Sequence, residues 1–186
     1  MGIRAIAFDL DGTLVDSIHD LARAANLSRA DLGLSALDND RVASFVGDGA
    51  ASLVARVLAD SHCAEYVGSD IQLEGMDLFN LHYRAGLSIA TKFYPKVQET
   101  LHMLHELGTP LAIITNKPER FTLPLLKELG VFEHFDVIVA GDTLPNKKPS
   151  PEPLQYTAQQ LNVAVEHMLM VGDSENDVLA ARAAGC

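Results

Sequence analysis

The sequence predicts an α/β fold, in which a parallel sheet is covered by helices on both faces and an all-helical segment is inserted near the N-terminus. Short, nearly continuous apolar runs lie at residues 3–8, 111–114, 137–140 and 168–171, and each ends in polar residues. Strands of a parallel sheet are buried on both faces, so they show such runs rather than an alternation of apolar and polar residues. Helical patterns separate the runs, as the βαβ units of a parallel sheet require.

The segments between the runs carry helical periodicity. Val97, Leu101 and Leu104 share one face of a predicted helix. Pro124 interrupts a second helical pattern at residues 119–129. Because proline removes an amide donor from a helix interior, that helix is expected either to begin near Leu123 or to be kinked.

No strand-like run interrupts the region from about residue 16 to residue 91. Ser17-x-x-Asp20 predicts a capping box at the start of a first helix. Amphipathic segments at residues 50–58 and 70–90 predict two more helices. The expected domains are an α/β core of residues 1–15 plus 92–186 and a helical cap of residues 16–91.

Composition excludes several classes of protein. The formal net charge of −11 argues against nucleic acid or an anionic membrane as the main partner. Cys63 and Cys186 form no metal-binding or disulfide pattern, which favours a reducing compartment. The N-terminus lacks the features of a signal peptide, and no apolar stretch approaches the length of a membrane span. We therefore expect a cytoplasmic protein. The sequence does not indicate its oligomeric state.

The first apolar run is followed at once by Asp9-Leu10-Asp11-Gly12-Thr13. If the chain is still extended there, both carboxylates point to the same side. Gly12 and Thr13 then permit a sharp turn and a close approach of the backbone to a ligand. The alternative is an Asx-type turn that only ends the strand.

Polar groups also follow the other runs, where parallel-sheet proteins bind ligands. Asp173 and Asp177 add carboxylates that suit Mg²⁺, although Asp173 or Ser174 could equally cap a helix. Thr115-Asn116 could form part of a phosphate cradle or an ordinary turn. Lys147-Lys148 supplies positive charge, with a solvated loop as the alternative.

These motifs resemble, in order and spacing, the four signatures of the haloacid dehalogenase (HAD) superfamily, whose core is a Rossmann-like parallel sheet. Residues 9–14 are similar to its first signature, Thr115 to its second, residues 148–151 to its third and residues 172–177 to its fourth. Within the superfamily, residues 46–50, 116–118 and 141–143 resemble the phosphoglycolate phosphatase subfamily.

The resemblance implies a mechanism and assigns roles to the residues. Asp9 would form an aspartyl phosphate, and Asp11 would protonate the leaving oxygen and then activate water. Lys148, which directly precedes Pro149, is preferred to Lys147 as the phosphate-contacting lysine. The implied substrate-binding residues are Gly12, Thr13, Thr115, Asn116 and Lys148. The implied Mg²⁺ ligands are Asp9, the backbone carbonyl of Asp11, and Asp173, with Asp177 in support.

The resemblance further implies a small anionic phosphomonoester as substrate, with 2-phosphoglycolate as the best candidate and a cap that closes over it. Relatives usually continue beyond residue 186 with another strand and helix, so this chain is expected to be a fragment whose strand at 168–171 forms an exposed edge. Three other readings stay open: a phosphatase or hexose-phosphate mutase acting on another metabolite, a phospho-accepting receiver-like domain, and a HAD fold that only binds.

Overall fold

The computed structural model describes residues 2–186, which form a sheet of parallel strands, a short two-stranded pairing and eight α-helices. The strands are β1 (Ala5–Phe8), β2 (Val15–Asp16), β3 (Lys92–Phe93), β4 (Leu111–Ile114), β5 (Val137–Val139) and β6 (Met168–Val171). The helices are α1 (Ile18–Asp31), α2 (Asn39–Ala43), α3 (Ala50–Ala59), α4 (Asp70–Arg84), α5 (Val97–Glu106), α6 (Glu119–Glu128), α7 (Glu152–Gln160) and α8 (Glu175–Ala184).

The main sheet has the strand order β5-β4-β1-β6, and every pairing in it is parallel. Ala7 of β1 lies opposite Ala112 of β4 on one side and Met170 of β6 on the other. The predicted α/β fold class is therefore confirmed. The order reverses at β1, since the chain moves outward to β4 and β5 and then returns to the other side, and ligands bind at such switch points.

Two compact units divide the described chain. One consists of Met1–Asp16 with Lys92–Cys186 and contains the parallel sheet; the other is Ser17–Thr91 and contains α1 to α4. In the first unit, β2 pairs antiparallel with β3 at the two points where the chain leaves and re-enters this unit. Each of these strands has only two residues, which is too short to show a periodic pattern, so the sequence did not predict them.

The sheet-containing unit buries its central strands β1 and β4, as the sequence predicts, whereas the outer strands β5 and β6 are partly exposed. Ala5 and Ala7 of β1 form one cluster with Leu154 of α7 and Ala180 of α8, all of them fully buried. Small residues in β1 let these helices approach the sheet closely, and removing this apolar surface from water is the main favourable term in folding.

The helical unit has its own core. α1 packs along α4, and α3 packs on both. Phe79 and Tyr83 of α4 are nearly inaccessible, and their rings stack with centroids 5.5 Å apart. This unit therefore has an apolar core of its own.

Several local predictions were wrong. The Ser17 side chain makes no capping hydrogen bond, because Asp20 is buried and accepts hydrogen bonds from residues 90 and 91 instead. Of the two alternatives for the helix at residues 119–129, the structure excludes a start near Leu123, because α6 starts at Glu119 and contains Pro124. The sequence pattern also missed α2, whose single turn or so is too short for an amphipathic signal.

Candidate active site

The carboxyl ends of neighbouring parallel strands bring the polar residues together. Asp9 directly follows β1, Thr115 follows β4, and Asp173 lies two residues beyond β6. Lys148 is supplied by the loop after β5. The backbone N–H of Asp9 donates to the Val171 carbonyl at 2.9 Å, so the ladder of the sheet fixes where the aspartate begins.

Asp9 is a buried carboxylate with 9% of its surface exposed. Burial raises the pKa of Asp9 to about 6, while the Lys148 ammonium opposes that rise and Asp177 adds to it. Lys148 Nζ lies 3.0 Å from Asp9 Oδ1 but outside hydrogen-bonding geometry, so this buried oxygen accepts no hydrogen bond from the described residues. The Asp9 carboxylate therefore lies next to a cation, while its Oδ1 atom accepts no hydrogen bond from the described residues.

Lys148 and Asp177 form the buried ion pair beneath Asp9. Lys148 Nζ donates to Asp177 Oδ1 at 2.5 Å, and the lysine side chain is only 2% exposed. Asp177 Oδ2 accepts from both the backbone N–H and the hydroxyl of Ser174, at 3.0 and 2.6 Å. Asp177 therefore caps α8 and anchors Lys148 at the same time. Lys147, which directly precedes Lys148 in the chain, is partly exposed.

Asp173 is more exposed and is oriented by the turn after β1. The Thr13 hydroxyl donates to Asp173 Oδ1 at 2.6 Å. Gly12 lies in the left-handed region with φ of +87°, and a Cβ at that position would overlap the Asp173 carboxylate. A glycine is required there because the turn and the carboxylate occupy adjoining space.

The arrangement of carboxylates fits a small divalent cation. Single oxygens of Asp9, Asp173 and Asp177 lie within 4.8 Å of one another. Octahedral Mg²⁺, with bonds of about 2.0–2.1 Å, separates its ligand oxygens by about 3–4 Å, so small side-chain rotations would suffice. Since both Asp177 oxygens already accept hydrogen bonds, Asp9 and Asp173 are the carboxylates better able to bind a metal directly.

Thr115 and Asn116 occupy the loop at the end of β4. Thr115 is 4% exposed, and its hydroxyl accepts a hydrogen bond from the Lys117 backbone N–H at 3.2 Å. The Asn116 side chain donates to the Lys148 carbonyl at 2.9 Å. Gly141 packs so close to the Asn116 backbone that a Cβ there would overlap it. Asn116 thereby connects the loops that carry Thr115 and Lys148.

Lys117 was not among the residues predicted for the site. Its ammonium lies 3.0 Å from each oxygen of Asp11, and its side chain is 4% exposed. A lysine in a loop usually reads as a solvated side chain. The available signal was its place two residues after Thr115, at the same sheet edge as the predicted phosphate cradle.

The negative potential of these carboxylates extends to Tyr94. Burial raises the pKa of the Tyr94 phenol, and the charges of Asp16, Asp173 and Asp11 raise it further. The backbone N–H of Tyr94 donates to the Leu14 carbonyl at 3.1 Å, which ties this residue to the turn after β1. A ligand at this edge therefore meets an acidic region neutralised locally by two lysines.

Fold and site together define an α/β protein with a buried carboxylate at a topological switch point. The same site contains two lysines that are each ion-paired with aspartate, and a potential cation site. The chain belongs to the haloacid dehalogenase-like hydrolase family, whose model matches residues 3–185. The predicted superfamily membership is confirmed.

Curated and solved relatives match nearly the whole chain. It is 53% identical to the phosphoglycolate phosphatase of Chromobacterium violaceum over 99% of this chain and 82% of the relative. It is 47% identical to the phosphoglycolate phosphatase of Neisseria meningitidis over 99% of this chain and 78% of the relative. A crystal structure from Haemophilus somnus, described as a predicted phosphoglycolate phosphatase, superposes with a TM-score of 0.92 at 34% identity, covering 99% of this chain and 83% of that one.

Among residues 2–186, no helix combines the length and the apolar character that crossing a membrane would require.

Proposed function

We propose that this chain is a Mg²⁺-dependent phosphatase that hydrolyses 2-phosphoglycolate, a small anionic phosphomonoester, through an aspartyl phosphate on Asp9. The observation that carries the proposal is the buried Asp9 carboxylate, which lies beside Lys148 and within ligand distance of Asp173. The phosphoglycolate phosphatases to which this chain is similar support the choice of substrate.

In the first step, an oxygen of Asp9 attacks phosphorus, and the bond between phosphorus and the glycolate oxygen breaks. Asp11 gives its proton to that departing oxygen, so glycolate leaves as an alcohol. Lys148 reduces the repulsion between the Asp9 carboxylate and the incoming phosphate dianion. Thr115, Asn116 and the backbone at Gly12 and Thr13 orient the phosphoryl oxygens, since this chemistry depends mainly on positioning and charge.

In the second step, Asp11 accepts a proton from water as the water oxygen attacks phosphorus. The bond between phosphorus and Asp9 breaks, inorganic phosphate is formed, and the carboxylate is regenerated. A bound Mg²⁺, held by Asp9, Asp173 and the Asp11 carbonyl, would supply charge stabilisation to the transferring group. Asp177 acts through Lys148, which it anchors.

The charge balance of the site suits this substrate. A chain with a formal net charge of −11 repels an anion at long range. Lys148, with a side chain only 2% exposed, places positive charge where desolvation strengthens its effect. We propose the cytoplasm as the compartment, which the two free cysteines, Cys63 and Cys186, support.

The decisive experiment measures phosphate release from 2-phosphoglycolate and from a panel of other small phosphate esters, with Mg²⁺ and with EDTA. We expect Mg²⁺-dependent turnover that is fastest with 2-phosphoglycolate. Phosphate release that persists in EDTA would refute the metal requirement. Transfer of phosphate to a second sugar, without net release, would identify a mutase. Binding without turnover would identify a phospho-acceptor or binding module.

The metal assignment has a separate test. Asp173→Asn should weaken the apparent affinity for Mg²⁺ in a titration of activity, because a neutral amide replaces a charged ligand. An unchanged Mg²⁺ titration would remove Asp173 from the proposed metal ligands.

A further inference from the structure

Lys117 is buried at the candidate site without a role in the steps proposed above. Its ammonium contacts Oδ1 and Oδ2 of Asp11 at the same distance, 3.0 Å. Asp9 and Asp11 therefore have different partners: Lys148 lies against Asp9, and Lys117 lies against Asp11. A cation equidistant from both oxygens holds the carboxylate with its two oxygens turned toward the ammonium.

The Lys117 backbone is itself firmly held. Its N–H donates to the Thr115 hydroxyl at 3.2 Å. Its carbonyl accepts from the Gly141 N–H at 2.9 Å and from the Thr122 hydroxyl at 3.1 Å. These bonds join Lys117 to the ends of β4 and β5 and to α6, so its ammonium reaches Asp11 from a rigid base.

Asp11 itself lies in the turn after β1, half-buried, where a short side chain can rotate. Its proposed task requires a fixed direction, because it must deliver a proton to one oxygen and later remove one from a water. A misplacement of about 1 Å can reduce the rate of a catalysed step by about 100-fold. The geometry around Lys117 supplies that direction.

We propose that Lys117 is a positioning residue that holds the Asp11 carboxylate in line with the leaving oxygen and the attacking water. The inference rests on the proposed phosphatase function. It assigns to Lys117 an effect on proton transfer through Asp11, separate from any effect on phosphate binding.

A comparison of leaving groups tests this role. Glycolate is a poor leaving group, because its departing oxygen is basic and needs the proton from Asp11. The p-nitrophenolate ion is a good leaving group and departs without a proton. In single-turnover experiments, Lys117→Met should slow the first step with 2-phosphoglycolate by about 100-fold. The first-turnover burst of p-nitrophenol from p-nitrophenyl phosphate should change little, and KM for 2-phosphoglycolate should stay near its original value.

A double-mutant cycle separates positioning from direct contact with substrate. If Lys117 acts through Asp11, adding Lys117→Met to Asp11→Asn should cause no further loss in kcat. Lys117→Arg should retain part of the activity, because a guanidinium can also contact both carboxylate oxygens. Lys127→Met, which removes an exposed lysine of α6, serves as the matched control.

Each outcome decides between explanations. Equal losses with both substrates, additive losses in the double variant, or a raised KM with unchanged kcat would overturn the positioning role while leaving the phosphatase function intact. An inactive wild-type chain would overturn the phosphatase function and the positioning role with it. If Lys117→Met does not fold, the same leaving-group comparison on Lys117→Arg decides, with the selective loss expected to be smaller.

Discussion

The helical unit and the sheet-containing unit bury their charges in different ways. In the helical unit, Asp20 is 1% exposed and accepts from the backbone N–H groups of Ala90 and Thr91, at 2.9 and 2.8 Å, and from the Thr91 hydroxyl. Arg29, 6% exposed, donates to main-chain carbonyls of the loop after α1 and of the end of α3. Backbone groups make most of these contacts, and the partly exposed Arg23 adds an ion pair, with its Nε 3.8 Å from Asp20 Oδ1.

In the sheet-containing unit, the buried charges contact one another. Lys148 lies between Asp9 and Asp177, and Lys117 contacts Asp11. Burial raises the pKa of Asp9 despite the nearby lysine, which shows that its partner only partly offsets its desolvation. The environment of Asp9 is therefore less favourable to its charge than that of an aspartate in water.

The difference separates a stabilising role from a chemical one. A carboxylate that accepts several backbone hydrogen bonds is saturated, and it fixes local structure. A carboxylate that faces a lysine and other carboxylates can exchange partners with a metal ion or a phosphoryl group. Functional sites commonly keep such incompletely satisfied groups at the expense of stability.

The largest expected effect comes from replacing the carboxylate in the proposed nucleophile. Asp9→Asn should reduce turnover by at least about 10⁴-fold, because an amide cannot form the aspartyl phosphate. Circular dichroism should show an intact fold. Near-normal phosphate release from this variant would contradict the covalent mechanism.

The same carboxylate should lower the stability of the metal-free protein as pH rises. The pKa of Asp9 is about 6 in the fold and 3.8 as its ordinary value, so its stabilising contribution is complete below 3.8 and is lost as pH rises through about 6. A shift of this size corresponds to about 3 kcal/mol of free energy of unfolding.

Urea unfolding in EDTA, carried out across this pH range, measures the effect. Wild type should lose stability relative to Asp9→Asn as pH rises, so that the variant is the more stable protein at neutral pH. A difference between the two that does not change with pH would contradict the raised pKa. Together, the two Asp9 predictions state that one group supports activity and opposes folding.

In the helical unit, removing a buried carboxylate should have the opposite effect on stability. Asp20→Ala leaves the N–H groups of Ala90 and Thr91 without their acceptor and should lower the free energy of unfolding by about 2 kcal/mol. Asp77→Ala, at an exposed position of α4, is the matched control and should change stability by less than about 0.5 kcal/mol. Equal effects of the two substitutions would remove the contrast between the units.

The sequence predicted the sheet, and the residues at the carboxyl ends of its strands, for one physical reason. Buried parallel strands must be apolar throughout, so the point where each run meets a polar residue marks the ligand-binding end of the sheet. The convergence of Asp9 with Asp173 follows from that rule, although the roles given to these residues stay predictions.

What the sequence did not reveal depends on contacts between distant segments. Ser17-x-x-Asp20 has the pattern of a capping box. The Asp20 carboxylate instead accepts hydrogen bonds from backbone N–H groups that are 70 and 71 residues away in the sequence. Lys117 likewise meets an aspartate 106 positions earlier. Local patterns report hydrogen bonds within a turn of helix, and they contain no information about partners that only the tertiary fold supplies.

A third arrangement of charge gives the smallest expected effect, because like charges meet there near the solvent. The His134 ring lies with its centroid 4.9 Å from that of His105 and 5.9 Å from that of His102. Burial lowers the pKa of His134, and the positive charges of His105 and His102 lower it further. A lowered histidine pKa contributes stability above the ordinary value of 6.5, and this contribution is lost as pH falls through the folded-state pKa.

We expect wild type to lose less than about 0.5 kcal/mol relative to His105→Gln as pH falls from about 7.5 to about 5, since solvent screens exposed charges. Urea midpoints of both proteins at the two pH values provide the measurement. A loss comparable with that caused by Asp9 would mean that contact between charges, rather than their burial, sets the size of these effects. The histidines share the like-charge contacts of the active-site carboxylates and differ from them in exposure, so this comparison tests whether burial sets the size of the Asp9 effect.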